Sequence, residues 1–442
     1  MNQQSKIFLW ALSAALGGFL FGFDTAVISG VEQTLQKLWN LSVFEHGVTV
    51  SIALVGTVLG SLIGGIPAEK YGRKITLIMV AILYLLASLG TAVALEWTTF
   101  LIFRFLGGLG VGVSSVIAPM YISEIAPPAK RGRLVAMFQF NVVFGILMAY
   151  LSNYLLTDIG INAWRWMLGV QAFPSVIFLI TAISIPESPR WLILKKGNVT
   201  MARKTLMIID SSSAEEVINA IQKQANQRNT QNFTLLFKAA YRKPVLLAVL
   251  FAVFNQVSGI NAIIYFAPRI FEMAGLGKDS ALLSSAGIGL INLVSTLLGI
   301  SLIDKFGRKV LMFYGSIGLI ASLTLVAQAF FSGNIGINVS FYLFFYIAFF
   351  GFSQGAVIWV FISEIFPNEV RAYGQALGSF THWILATIIT FTFPYLAETF
   401  GGGITFSFFA LMMMLQLLFV WRFMPETKGT SLEGVEKALV LH

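Results

Sequence analysis

Long apolar segments recur along the whole chain and constrain its fold more than any other feature. Twelve uninterrupted hydrophobic runs can be placed, each of about 20 residues, the length at which a helix crosses the hydrocarbon core of a bilayer. The chain has 57% hydrophobic and only 11% charged residues, whereas a soluble domain carries about 25% charged residues. The sequence therefore predicts an all-α membrane protein.

The predicted spans are joined by short loops, apart from one long polar segment between the sixth and the seventh. They cover residues 7–30, 47–68, 75–95, 99–121, 133–156, 166–186, 244–268, 281–303, 310–330, 338–363, 373–396 and 404–424. We expect four segments: an N-terminal six-helix bundle (1–190), a cytoplasmic linker (191–243), a C-terminal six-helix bundle (244–424) and a cytoplasmic tail (425–442). Within the linker, apolar periodicity predicts short amphipathic helices at Met201 to Ile209 and Ala214 to Gln224.

Three polar motifs occur twice, at offsets of 235 to 240 residues. They are Ser123-Glu124-Ile125-Ala126-Pro127 and Ser363-Glu364-Ile365-Phe366-Pro367; Glu69-Lys70-Tyr71-Gly72-Arg73-Lys74 and Asp304-Lys305-Phe306-Gly307-Arg308-Lys309; and Pro186-Glu187-Ser188 and Pro425-Glu426-Thr427. A fixed period of this size makes each half a copy of one structural unit. Two like halves of membrane helices are typical of transporters built from repeats.

The distribution of positive charge predicts the orientation. If both termini are cytoplasmic, only four of the 29 Lys and Arg residues lie in outer loops: Lys37, Arg165, Arg269 and Lys278. Arg104 lies inside a span, and all the others fall on the inner side, as the positive-inside rule requires. The net charge of +9 is therefore a signal of topology, and we expect no nucleic-acid partner.

Cysteine is absent from the chain, which excludes disulfides, thiolate nucleophiles and Cys-ligated metals. The three histidines, His46, His382 and His442, are far apart in the sequence. We expect neither a metal site nor a cofactor.

Asp24 and Arg104 are the only charged residues that cannot be moved to a loop or a membrane edge. They lie in the first and fourth predicted spans, each roughly 8–9 Å below the outer surface at about 1.5 Å per residue. A lone charge at that depth is costly, so we expect the two to pair. The pair is either a static structural salt bridge or a proton-coupling switch, in which protonation of Asp24 releases Arg104.

Acidic residues and arginines also recur in step at the inner ends of the spans. The acids are Glu69, Glu124, Glu187, Asp304, Glu364 and Glu426, and the arginines are Arg73, Arg131, Arg308 and Arg371. We expect a cytoplasmic gating network of ion pairs that holds helix ends together and parts when the inner side opens. The alternative is that the arginines only enforce the topology.

Five motifs carry a resemblance to a known family. They are Gly22-Phe23-Asp24-Thr25, Gly65-Ile66-Pro67-Ala68-Glu69-Lys70-Tyr71-Gly72-Arg73-Lys74, Pro186-Glu187-Ser188-Pro189-Arg190-Trp191, Gln256-Val257-Ser258-Gly259-Ile260-Asn261 and Pro425-Glu426-Thr427-Lys428-Gly429. Over essentially its whole length the chain resembles the sugar porter family of the major facilitator superfamily. Within that family it is similar to bacterial proton-coupled pentose and hexose symporters.

The resemblance implies a central sugar site drawn mostly from the second half. The matching positions are Gln139, Asn255, Gln256, Asn261, Tyr265, Asn292, Gly355, Trp359, His382 and Trp383, with Phe21 as a further wall residue. Carboxamides for the sugar hydroxyls and an aromatic plate for the C–H face are what such a site requires. Helix packing by itself could explain any single amide.

Several positions depart from the family pattern. Asn255 replaces a glutamine, His382 replaces an Asn or Gln, and Glu69 replaces an Asp. Gln354 and Ala356 stand where the family commonly has Trp and Pro, so we expect the tenth span to break less sharply. Because these changes include the sugar-contacting positions Asn255 and His382, the identity of the sugar stays open.

The combined pattern predicts a monomeric proton-coupled monosaccharide importer of a bacterial inner membrane. It would work by alternating access and perform no covalent chemistry, so it is not expected to be an enzyme. A facilitative uniporter of the same fold is the main alternative, although members without proton coupling commonly have a neutral residue at the position of Asp24. A sugar receptor and a drug–proton antiporter are further alternatives, disfavoured by the short tail and by the amide-rich cavity.

Overall fold

The computed structural model describes residues 3–226, 233–367 and 369–429, and these residues are predominantly helical, with no β-strand among them. Eleven of the helices in these ranges are long and apolar enough to cross a membrane: Gln3–Gly30, Val43–Ile63, Arg73–Val93, Trp97–Ile125, Arg131–Leu156, Ala163–Ser184, Ala239–Met273, Lys278–Phe306, Arg308–Ser332, Ile337–Glu364 and Arg371–Arg422. The predicted all-α membrane fold is confirmed. Of the predicted tail, residues 430–442, which include His442, lie outside the described ranges.

The last of these helices contains two spans. Arg371–Arg422 has 52 residues, and a continuous helix of that length would measure about 78 Å against a hydrocarbon core of about 30 Å. Its backbone leaves the helical region at Gly401, where φ is 73° and ψ is 170°. Glycine adopts a positive φ without steric cost. The stretches on either side are each long enough to cross, so the described residues contain twelve spans, numbered one to twelve below.

Spans seven and ten are interrupted near their centres. Span seven consists of the helices Arg242–Val257 and Ile260–Met273, separated at Gly259. Span ten consists of Ile337–Phe350 and Ala356–Glu364, joined by a π-helical turn at Gly351–Gly355. The turn keeps the chain helical, as expected for a span that lacks the family's proline.

Three short helices follow span six: Pro189–Leu194, Val199–Ile209 and Ala214–Asn226. Their apolar residues form one small core, made of Trp191, Leu192, Ile193, Ala202, Leu206, Ala214 and Ile218. The two amphipathic helices predicted in the linker are therefore confirmed.

The described residues group into two compact units. The first unit comprises those within Met1–Thr25, Ile52–Ala149 and Leu156–Thr230, and the second those within Ala26–Ser51, Tyr150–Leu155 and Gln231–His442. The second unit thus includes the chain that joins spans one and two. Because the units follow contacts rather than chain order, the segment boundaries at residues 190, 243 and 424 stay predictions.

Glycines bring spans two and four of the first unit into close contact. A Cβ added at Gly56 or Gly60 would clash with the backbone of span four, and one added at Gly108 or Gly112 would clash with span two. Small residues four apart allow such close approach of membrane helices. This packing fixes span four, which carries Arg104.

The second unit has a core in which spans seven, nine, ten and twelve meet. Its buried members include Leu247, Phe251, Met312, Phe361 and Phe419. The rings of Phe251 and Phe361 stack with their centroids 4.9 Å apart. This core packs beside the helix ends that carry the second copies of the repeated motifs.

Candidate transport site

The structure brings Asp24 and Arg104 together inside the first unit. Arg104 Nη1 lies 2.9 Å from Asp24 Oδ1. The two residues are only 2% (Arg104) and 4% (Asp24) exposed, so the charges are shielded from solvent and depend on each other. Whether this pair couples transport to protons stays a prediction.

Two residues that the sequence did not single out complete this buried site. The side chain of Gln171 lies beside the Asp24 carboxyl group and is 3% exposed. The buried Tyr84 also lies near Asp24, and its hydroxyl donates to the Gly17 carbonyl at 3.4 Å. The available signal for Gln171 was an isolated amide within an apolar run.

Amide side chains of span seven form a hydrogen-bonded cluster in the second unit. Asn261 Nδ2 donates to Gln256 Oε1 at 2.6 Å, and Gln256 Nε2 donates to Asn255 Oδ1 at 3.0 Å. Asn255 and Gln256 are 2% and 1% exposed. The cluster holds several donors and acceptors within a few ångströms, which a polyhydroxyl ligand could engage in exchange.

The break in span seven explains how Gln256 and Asn261 meet. Residues five apart on a continuous helix do not share a face well, whereas residues three or four apart do. Gly259 has φ 87° and ψ 10°, the left-handed conformation, which only glycine visits routinely. The left-handed conformation of Gly259 interrupts the helix, and Asn261 then lies within hydrogen-bond distance of the Gln256 side chain.

Aromatic side chains of spans ten and eleven adjoin this cluster. Gln256 Nε2 lies 3.1 Å from His382 Nδ1. The ring of His382 contacts those of Trp359 and Trp383, with both centroid distances 4.9 Å. Trp359 is 37% exposed whereas Trp383 is 7% exposed, so Trp359 is the indole available to a ligand.

The remaining predicted sugar contacts occupy separate positions. In the second unit, Tyr265 lies one helical turn beyond Asn261 and is buried, Asn292 is buried and accepts from Thr296 at 3.4 Å, and Gly355 ends the π-turn of span ten. Phe21 and Gln139 belong to the first unit, where each is half-buried. Their contact with sugar stays a prediction.

A charge network at Arg73 joins helix ends of the first unit. Arg73 Nε lies 3.0 Å from Glu124 Oε2, and Arg73 Nη2 lies 3.6 Å from Glu69 Oε1. Glu187 accepts hydrogen bonds from the backbone N–H groups of Arg73 and Lys74 at the start of span three. Burial raises the pKa of Glu187, opposed by these N–H groups and by the Arg73 guanidinium.

The same arrangement recurs at Arg308 in the second unit. Arg308 Nη2 lies 2.8 Å from Glu364 Oε1, and Arg308 Nη1 lies 3.0 Å from Asp304 Oδ1. Glu426 accepts from the backbone N–H groups of Arg308 and Lys309 at 2.9 and 3.0 Å. The repeated motifs therefore form the same charge network twice, once around Arg73 and once around Arg308.

Arg131 and Arg371 differ from the expected pattern, since neither forms an ion pair with a described acidic residue. Arg131 lines a cavity of about 350 Å³ together with Glu124, but Glu124 is already held by Arg73. Arg371 Nε donates to the Phe366 carbonyl at 3.1 Å. Among the described residues, the ion pairs expected of these two arginines are absent, because Glu124 and Glu364 are engaged by Arg73 and Arg308.

Gln354 anchors the π-turn of span ten. Its Nε2 donates to Gln416 Oε1 on span twelve at 2.8 Å, and Gln416 Nε2 donates to Ser316 Oγ on span nine at 3.0 Å. Gln354 and Gln416 are each 1% exposed. Gln354 departs from the family pattern in the sequence, but the sequence did not predict its contact with Gln416.

Comparison with known proteins agrees with this architecture. The profile of the family described as "Sugar (and other) transporter" matches residues 10–439. The D-xylose-proton symporter of Escherichia coli K12 is 35% identical, with 99% of this chain and 97% of that protein covered. The arabinose-proton symporter of Bacillus subtilis is 36% identical, with 99% and 96% covered.

Solved structures agree as well. The inward-open xylose transporter XylE from E. coli matches with a TM-score of 0.87 and 32% identity, over 98% of this chain and all of that chain. This is a major facilitator fold, and the matched family and relatives are transporters rather than enzymes. Because the family profile matches residues 10–439 and relatives of 35–36% identity cover 99% of the sequence, this chain belongs to the sugar (and other) transporter family.

Proposed function

We propose that the protein is a proton-coupled symporter that imports a monosaccharide, a pentose or a hexose, by alternating access. The buried contact between Asp24 and Arg104, with 2.9 Å between Nη1 and Oδ1, carries the proton-coupling part of this proposal. In the scheme, protonation of Asp24 removes one charge of the pair and frees Arg104, which changes the conformation that is favoured.

The amide and indole cluster of the second unit supports the sugar as cargo. Gln256, Asn255 and Asn261 supply donors and acceptors, and Trp359 supplies an exposed aromatic face. Relatives named for xylose, arabinose and glucose support a monosaccharide without selecting one. A membrane orientation with both termini inside, a monomeric state and a bacterial inner membrane complete the proposal.

Transport in proteoliposomes tests the coupling. Asp24→Asn should abolish uphill accumulation of sugar under an inward proton gradient and leave sugar exchange between the two sides intact, because the amide cannot take up and release a proton. Asp210→Asn, at an exposed carboxylate of the linker that binds Ser212 and Ser213, is the matched control and should behave as the parent.

Either of two results would contradict the proposal. Unchanged accumulation in Asp24→Asn would remove Asp24 from the coupling step. Equal sugar uptake by the parent with and without the proton gradient would instead favour the facilitative uniporter. A panel of pentoses and hexoses in the exchange assay would identify the cargo.

A further inference from the structure

A buried charged cluster that the transport scheme does not use lies in the second unit. Glu32 belongs to the short helix Glu32–Leu38 that follows span one, His46 to the first turn of span two, and Arg269 to the second helix of span seven. In the proposed orientation, all three residues lie at the outer ends of their spans. The cluster thus joins the chain between spans one and two to span seven.

The contacts within this cluster are close and directional. Arg269 grips both oxygens of the Glu32 carboxylate, with Nε–Oε1 and Nη2–Oε2 distances of 2.9 Å. His46 Nε2 lies 2.8 Å from Glu32 Oε2, and Arg269 Nη2 donates to Gln36 Oε1 at 2.6 Å. Two parallel N–H···O bonds between a guanidinium and a carboxylate add geometric specificity to the charge attraction.

The cluster is shielded from solvent. The Glu32 and His46 side chains are fully buried and the Arg269 side chain is 20% exposed. The ring of His46 faces Phe266 at a centroid distance of 6.2 Å. A second polar contact lies nearby, where Gln33 Nε2 donates to Glu272 Oε2 at 3.0 Å.

We infer that Glu32, His46 and Arg269 form an outer latch. The outer latch holds the chain between spans one and two against span seven while the outer entrance is shut, and it parts when that entrance opens for sugar. The inference rests on the proposed function and orientation, because alternating access requires the outer ends of the spans to separate once in every cycle.

An ion pair suits a joint that must open repeatedly. Burying two charges costs hydration that offsets much of their mutual attraction, and each charge regains that hydration when the joint opens. An apolar joint has no such compensation, because its opening exposes all of its hydrophobic surface to water. The outer latch therefore defines which residues meet in the closed state, and the cost of separating them stays moderate.

The chain has no cysteine, so a single introduced thiol can report the opening of the outer latch. Ser29→Cys is a suitable reporter, because Ser29 is 2% exposed. It lies in the turn Ile28–Gly30, which packs against the second helix of span seven. The measurement is the rate at which a membrane-impermeant maleimide, added outside intact cells, labels this thiol.

Neutralising the outer latch should speed labelling. Arg269→Gln, and the double variant Glu32→Gln with Arg269→Gln, should each raise the rate about fivefold or more, the scale of a typical conformational coupling. The double variant leaves no unpaired buried charge, which guards against misfolding. Arg269→Lys keeps the charge and should raise the rate less than Arg269→Gln. An unchanged rate in the double variant, or equal rates for the Lys and Gln variants, would overturn the outer latch.

Two controls separate this inference from the proposals beneath it. Arg203→Gln breaks the exposed pair with Glu215 in the linker and should not change labelling of Ser29→Cys; a matching rise there would attribute the effect to general charge loss and overturn the outer latch. Ser212→Cys, exposed in the linker, should stay unlabelled from outside, and its labelling would overturn the orientation. If the parent and every variant failed to exchange sugar while the labelling rates followed the expected pattern, the proposed function would be rejected and the outer latch would be supported.

Discussion

Gln256 is the residue on which the amide cluster of the second unit depends. Its Oε1 accepts from Asn261, whereas its Nε2 donates to Asn255 and lies 3.1 Å from His382 Nδ1. One side chain therefore orients two neighbouring amides and an imidazole. A ligand that binds here meets donors and acceptors whose directions are already set.

The exchange of Gln256 for leucine tests this role. Gln256→Leu should weaken sugar binding about tenfold or more, because buried partners left without a hydrogen bond cost about 1–3 kcal/mol. Isothermal titration of the purified protein with the transported sugar measures the change in Kd. Gln328→Leu, on an exposed position of span nine, should leave Kd unchanged, and similar losses in both variants would argue against a special role for Gln256.

At the scale of elements, the interruption of span seven decides where the polar side chains point. Gly259 adopts φ 87°, and a Cβ at this position would meet the ring of Phe409. The position thus combines a positive φ with a close contact, and both conditions exclude other residues. A straight helix would carry Asn261 away from Gln256.

Gly259→Ala should therefore lower the thermal unfolding midpoint of the detergent-solubilised protein and weaken sugar binding at the same time. The left-handed backbone costs an L-residue about 1–2 kcal/mol, before the clash with Phe409 is included. Gly277→Ala is the matched control, since Gly277 has φ −66° and open space around it. Equal shifts in the two midpoints would show that the conformation at Gly259 is not strained by a side chain.

At the scale of the whole molecule, the two units share one design at the ends that carry the repeated motifs. Arg73 with Glu124 and Arg308 with Glu364 are equivalent pairs, separated by 51 and 56 residues in their respective halves. In each unit a further glutamate, Glu187 or Glu426, accepts backbone N–H groups at the start of the helix that begins with the arginine. Individual exposed pairs contribute little, but partly buried, multiply bonded ones contribute more.

The orientation predicted from positive charge belongs to the same scale. A thiol introduced by Ser332→Cys, exposed at the last residue of span nine, should react with an impermeant maleimide added outside intact cells, because the predicted orientation places the loop between spans nine and ten outside. A thiol introduced by Ser211→Cys in the linker should react only after the cells are permeabilised. The reverse pattern would invert the topology and contradict the positive-inside rule for this chain.

The number of spans, the helical fold and the meeting of Asp24 with Arg104 could be predicted because the forces involved act locally. A run of apolar residues specifies a membrane helix without reference to any other part of the chain. A charge deep in a span has few partners available, so two such residues at equal depth specify each other. The duplicated motifs likewise predict two equivalent charge networks.

Contacts made by ordinary polar residues could not be predicted in this way. Glu32 and Arg269 are 237 positions apart and each reads as a loop residue, while Gln171 and Gln354 read as isolated amides. Tertiary packing made them partners, since burial of a polar group is tolerated only where a hydrogen bond or an opposite charge awaits it. Composition and periodicity settle which segments enter the bilayer; the packing of those segments settles which side chains meet.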